Sequence, residues 1–132
     1  MKKSAIVILV VLAMVMAVLS FAAEKGKPAQ EKAKSEALKV GDERYVCNCG
    51  DKCPCNTISS SAGKCTCGND MVTAKVTKVE KGKATFKAVA WDKERSFNTV
   101  AKYVCSCGPD CKCKTISQNP GKCTCGADLK KI

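Results

Sequence analysis

The chain contains no histidine. That absence removes whole classes of site. A Ser-His-Asp triad, a c-type haem on Cys-x-x-Cys-His and the His-bearing zinc hydrolases all require an imidazole. Cys-x-x-Cys is missing as well, which speaks against plain zinc-ribbon knuckles, a thioredoxin-like dithiol and the usual iron–sulfur spacings. Aromatic residues make up only 5% of the chain; beyond the N-terminal segment they are Tyr45, Phe86, Trp91, Phe97 and Tyr103. Acidic residues are a minority, 12 against 23 Lys and Arg, for a formal net charge of +11. A basic balance suits nucleic acid in general. Here the lysines are spread along the chain with no aromatic ladder among them, so no nucleic-acid partner is expected. Past the first 23 residues nothing carries the apolar period of a long helix.

What the chain does have is sulfur. Its 12 cysteines fall in two copies of the pattern Cys-x-Cys-x3-Cys-x-Cys-x9-Cys-x-Cys. The first copy is Cys47, Cys49, Cys53, Cys55, Cys65 and Cys67; the second is Cys105, Cys107, Cys111, Cys113, Cys123 and Cys125. Each cysteine of the second copy follows its counterpart by 58 residues, and 17 of the 27 positions in modules 45–71 and 103–129 are identical. The identities extend past sulfur, to Tyr-Val, Thr-Ile-Ser and Gly-Lys-Cys-Thr-Cys-Gly. An internal duplication of this kind implies the same site built twice.

The spacing points to chelation. In extended backbone, residues i and i+2 face the same way, so each Cys-x-Cys offers two sulfurs on one side. Six thiolates suit two tetrahedral Zn2+ or Cd2+ ions that share two sulfurs, or a compact Cu+ cage. Soft sulfur selects such ions over Mg2+ or Ca2+. All twelve cysteines are therefore candidate metal ligands, with Zn2+, Cu+ or Cd2+ as the bound ion. Two divalent ions in six thiolates leave two negative charges, which Lys52, Lys64, Lys112, Lys114 and Lys122 are placed to offset. Gly50, Gly68, Gly108 and Gly126 each follow a cysteine. A glycine there takes positive φ and lets N–H groups turn toward sulfur; a plain tight turn is the alternative. Two other states of the cysteines stay open. One is a disulfide-stapled structural or interaction module, favoured by an oxidising compartment but opposed by Cys-x-Cys pairs too close to bridge without strain. The other is a thiol redox protein.

Around the modules, residues 1–22 read as a secretory signal. Lys2 and Lys3 form its basic start, Ala5 to Leu19 its apolar run, and Ser20-Phe21-Ala22 a small-x-small cleavage site. The alternative is an uncleaved inner-membrane anchor over residues 5–23, the only case in which a membrane is a partner. Residues 23–44, rich in Lys, Ala and Glu, read as a disordered linker. Residues 72–102 read as a β-meander. Val72, Ala74 and Val76 alternate with polar residues, Glu80-Lys81-Gly82-Lys83 is a turn, and Ala84 to Trp91 forms a second strand with Phe86, Ala88 and Ala90 on one face. Phe97 to Val104 forms a third strand. The expected fold is small, mostly β and irregular: two duplicated Cys-rich metal-binding knots joined by a short β-meander, after an N-terminal signal helix.

The repeated Cys-x-Cys with abundant Lys and Ser resembles the metallothioneins, which sequester soft metals in thiolate clusters. Tyr103-Val104-Cys105, Pro109 and Pro120-Gly121-Lys122-Cys123-Thr124-Cys125-Gly126-Ala127-Asp128-Leu129 also resemble the short heavy-metal-binding domain of copper-efflux adaptors and copper-transporting P-type ATPases. That domain opens Tyr-x-Cys-Pro-Met-His-Pro and closes Pro-Gly-x-Cys-Pro-x-Cys-Gly-Met-x-Leu. Cys107-Gly108 stands where it has Met and His, and Cys111 and Cys113 are additional. The resemblances imply a small soft-metal knot on the matching cysteines; with the bacterial-looking signal, the expectation is a non-enzymatic protein exported to the periplasm. It would bind soft metal for sequestration, buffering or transfer, with a metal-efflux or metal-delivery protein as partner.

Overall fold

A computed structural model of the chain describes residues 37–132. The expected signal helix and most of the expected linker lie outside the described residues. Among the described residues there is no helix, and eight strands form one sheet. In chain order these are β1 (Glu43–Val46), β2 (Ile58–Ser59), β3 (Val72–Glu80), β4 (Lys83–Ala88), β5 (Arg95–Asn98), β6 (Tyr103–Cys105), β7 (Ile116–Ser117) and β8 (Leu129–Lys131). Their order across the sheet is β5-β4-β3-β1-β2-β7-β6-β8.

The order carries the duplication. β1 pairs with β2 of module 1 and with β3 of the meander, and β6 of module 2 likewise pairs with β7 and with β8. The halves meet where β2 pairs antiparallel with β7 through Ile58 and Ile116, the same repeat position in each module. Antiparallel pairing of equivalent residues places a pseudo-two-fold axis between them. The flanking bonds obey it: Ser60 N–H donates to the Cys113 carbonyl at 2.8 Å, and Gln118 N–H donates to the Cys55 carbonyl at 2.8 Å. The modules are therefore not separate knots strung on a meander. They are joined to each other directly, and the meander lies along one edge of the same sheet.

The meander forms for the expected reasons, with adjustments. Ala74 and Val76 of β3 are buried, as are Ala84, Phe86 and Ala88 of β4. The β3–β4 hairpin closes through Lys81-Gly82, with Gly82 at φ 78°. A bulge between Val76 and Lys78 then shifts the register, and Val79 beyond it is exposed. Ala90 does not continue the buried face: the strand stops at Ala88, and Trp91 N–H closes a turn onto the Ala88 carbonyl at 3.1 Å. Phe97 packs edge-on against Phe86 with centroids 5.4 Å apart, and Trp91 stacks on Phe97 at 6.1 Å.

Two expected boundaries move. The third strand is not one strand over 97–104. β5 pairs with β4 at one edge of the sheet, while β6 pairs with β7 and β8 near the other, so the chain must cross between them. Thr99 N–H donating to the Gly82 carbonyl and Lys102 N–H to the Ser117 carbonyl hold the crossing. The linker also ends before residue 44. Leu38 is buried in the core, Gly41 N–H bonds to the Val76 carbonyl, and β1 starts at Glu43.

Candidate metal centre

The local backbone of each module turns sulfur inward by repeated means. Gly50, Gly68, Gly108 and Gly126 all have φ between 86° and 109°, with open space where a Cβ would stand. Gly68 and Gly126 donate their own N–H groups to the carbonyls of Cys65 and Cys123, closing turns, and the N–H groups that follow, of Asn69 and Ala127, turn toward the sulfurs of Cys65 and Cys125 as expected. Further donors to sulfur lie two residues on from it: Cys49 N–H to Cys47 Sγ and Cys125 N–H to Cys123 Sγ, both at 3.4 Å. Asn56 and Lys114, directly after Cys55 and Cys113, share a φ of 42°. That rare left-handed curl aims the N–H groups of Thr57 and Thr115 at the preceding sulfurs.

The six sulfurs of module 1 form two overlapping groups of four. One is Cys47, Cys49, Cys53 and Cys55; the other is Cys49, Cys55, Cys65 and Cys67; within each, all sulfurs lie within 4.8 Å of one another. Individual separations are 3.1 Å for Cys47–Cys55, 3.3 Å for Cys53–Cys55, 3.4 Å for Cys49–Cys65 and 3.5 Å for Cys53–Cys67. In module 2, Cys105, Cys107, Cys111, Cys113 and Cys125 form one group. Cys123 joins it at 3.0 Å from Cys113, 2.9 Å from Cys125 and 3.4 Å from Cys105. All twelve are free thiols. Their separations are well beyond the roughly 2.05 Å of a disulfide. They fall somewhat short of the roughly 3.8 Å edge of a tetrahedron of sulfurs about 2.3 Å from a metal. The clustered cysteines can hold metal ions, and the all-sulfur donor set fits soft ions.

Crowded thiols push one another's pKa values apart. Cys55 is held down to about 4, first by its hydrogen bond with Cys47 and then by the Thr57 hydroxyl and N–H, against the opposing effect of burial. Cys47 is raised by the same bond and by burial. At the equivalent position, burial pushes Cys113 up, but hydrogen bonds with Cys111, Cys123 and the Thr115 backbone bring it down to about 5. On the open side of module 2, the hydrogen bond with Cys125 raises Cys107 to about 12 and lowers Cys125. Each module thus centres on one buried, readily ionised sulfur at the same repeat position.

Residues between the cysteines bind the two clusters together. Thr57, Thr66 and Ser117 form a triangle of hydroxyls with edges of 3.3–3.4 Å. Thr115, Thr124 and Ser59 form its counterpart at 3.0–3.2 Å. Each triangle takes two members from one module and one from the other. Ser59 donates to the Cys113 carbonyl at 2.9 Å, and Ser117 to the Cys55 carbonyl at 3.0 Å. Gly63 and Gly121 let the loops meet: a Cβ on either would stand 2.8–2.9 Å from the Cβ of Thr124 or Thr66. The repeated Thr-Ile-Ser and Gly-Lys-Cys-Thr were visible in the sequence as identities. Their cross-module pairing was not, because only the fold sets Ile58 opposite Ile116.

The surroundings of the clusters differ. At module 1, Trp91 Nε1–H donates to Asn48 Oδ1 at 2.6 Å, Arg95 pairs with Asp51 at 2.8 Å, and Asn98 N–H donates to Asn56 Oδ1 at 3.0 Å. Asn69 Nδ2–H donates to Cys49 Sγ at 3.0 Å. Lys64, expected to offset cluster charge, lies 3.3 Å from Asp70. The cation that shares a small cavity with Cys47 and Cys53 is Arg95. Comparison with family models, with curated proteins and with solved structures returned no match. The likeness to the short copper-binding domain thus gains no support from relatives, and what stands is a cysteine-rich chain with two sulfur clusters in metal-binding reach.

Proposed function

We propose that this protein is an exported, metallothionein-like binder of soft metal ions, holding them in two six-thiolate clusters and catalysing no reaction. The observation that carries the reading is the sharing of Cys49 and Cys55 between the two four-sulfur groups of module 1. Two tetrahedral ions need eight bonds; six sulfurs with two of them shared supply eight. Cys47 and Cys53 with Cys65 and Cys67 are then terminal ligands, and Cys105, Cys107, Cys111, Cys113, Cys123 and Cys125 form the second cluster. Zn2+, Cd2+ and Cu+ all suit these donors, with Cu+ packing more ions per cluster. The ions are cargo: the protein buffers, sequesters or hands them on in the envelope to a metal-efflux or delivery protein. The signal-like residues 1–22 support a periplasmic place, with residues 5–23 as an anchor if retained.

The test is metal content and free-thiol count on protein freshly recovered from its own compartment. About two divalent ions per module, with thiols that become alkylable only after chelation, are expected. Six disulfides and no metal would instead establish the stapled module, and one reducible pair among otherwise locked cysteines would establish a redox protein.

A further inference from the structure

The duplication has diverged where the meander touches it. Asn48, Asp51 and Asn56, which accept from Trp91, Arg95 and Asn98, are replaced in module 2 by Ser106, Pro109 and Lys114. Asn69, which donates to Cys49 Sγ, is replaced by Ala127. In module 1 the Cys47–Asp51 loop is pinned beneath Trp91, which is itself stacked on Phe97 and capped by the Arg95 guanidinium 4.3 Å from its ring. Arg95 Nη1 is buried without a hydrogen-bond partner among the described residues, and the Arg95 side chain, paired with Asp51 at 2.8 Å, lines a small cavity with Cys47 and Cys53. Arg95 thus brings a positive charge, paired with Asp51, to the wall of the cavity that Cys47 and Cys53 line. Module 2 has no such cover. Its Cys107 and Cys125 are exposed, as are Ser106, Gly108, Pro109 and Asp110 around them, and Cys105, buried Cys47's counterpart, is half-exposed.

Resting on the metal-binding reading above, we infer that the modules divide the work: module 1 retains its ions, and module 2 is the exchange site, where a thiol-bearing acceptor enters at Cys107. The step is ligand substitution. The acceptor sulfur bonds to the metal as the metal–Cys107 bond breaks, and the acceptor's thiol proton passes to the Cys107 sulfur. No oxidation state changes. Cys67, the counterpart of Cys125, is exposed as well, so the difference lies at Cys107: its counterpart Cys49 is only half-exposed, is held by Asn69, and sits on a loop fixed through Asn48 and Asp51.

The test uses the full chain loaded with Zn2+ and challenged with excess pyridylazoresorcinol, following zinc transfer by absorbance and Trp91 by fluorescence. Trp91 is the chain's single tryptophan, so its emission reports module 1 without any mutation. Two phases are expected, with the fluorescence change confined to the slow one. In Arg95→Ala and in Asn69→Ala the slow phase should quicken by about 10-fold or more, the usual cost of losing an outer-shell partner, while the fast phase stays. In the double variant Cys107→Ser/Cys125→Ser only the fast amplitude should change. A single phase, or a fluorescence change in the fast phase, overturns the division of work while leaving metal binding intact. A chain that takes up no zinc overturns the proposed function itself.

Discussion

The two modules share a sulfur pattern and differ in what surrounds it. Module 1 belongs to the main core: Val46, Cys47, Cys55 and Ile58 pack in one cluster with Val76, Phe86, Trp91 and Phe97. Module 2 has Ile116 reaching that core across the pseudo-two-fold axis, but its own buried cluster is only Cys113, Cys123 and Leu129. The same ligand spacing therefore sits in one half on an apolar foundation and in the other on little besides sulfur. Ligand spacing decides what can be bound; the supporting shell decides how firmly.

The largest effect expected is from metal removal. Structural zinc contributes on the order of 10–16 kcal/mol where it organises a small domain, far more than the few buried side chains of module 2 supply. Under reducing conditions with a chelator, residues 103–129 should lose amide protection first and residues 45–71 next, while β3 to β5 keep residual structure. Hydrogen exchange read by NMR checks the order. Dispersed, protected amides across both modules in that sample would show that metal does not drive their folding.

Next comes the apolar foundation. Phe86→Ala should cost about 3–5 kcal/mol and loosen metal in module 1 more than in module 2. A thermal melt with metal analysis of the variant separates the two. If both clusters weaken equally, the meander supports the whole sheet and not one half.

At the pseudo-two-fold axis the modules should behave alike. Gly63→Ala and Gly121→Ala each drive a Cβ into a threonine of the other module and should cost about 1–3 kcal/mol apiece. Removing the struck side chain, with Gly121→Ala combined with Thr66→Gly, should recover part of the loss. Unequal midpoints for the two glycine variants would mean that the interface is less symmetric than its bonds. The smallest effect concerns a single donor: Asn69→Ala should quicken release from module 1 by about 10-fold, and Ala127→Asn should slow release from module 2, both read as zinc-transfer rates.

Much of this was legible in the chain. The duplication, the twelve clustered sulfurs and the alternation of Val72, Ala74 and Val76 follow from spacing alone, because Cys-x-Cys and strand periodicity are local properties. The left-handed Lys114 was not, since lysine does not announce that conformation; Asn56 is of a type that adopts it readily, but asparagine is at least as common in ordinary turns. Nor was the pinning of module 1 by Trp91 and Arg95, which depends on β5 folding back along β4. The break in the strand expected over 97–104 has the same origin: β5 and β6 serve distant parts of one sheet, a fact of topology that no window of sequence contains.

The sharing of Cys49 and Cys55 is best tested by cadmium NMR on protein loaded with the spin-half isotope. Thiolate-shifted cadmium signals should appear, with metal–metal coupling between the two ions of module 1 through the shared sulfurs. Uncoupled single-ion signals, or no thiolate-shifted signal at all, would contradict a six-sulfur cluster.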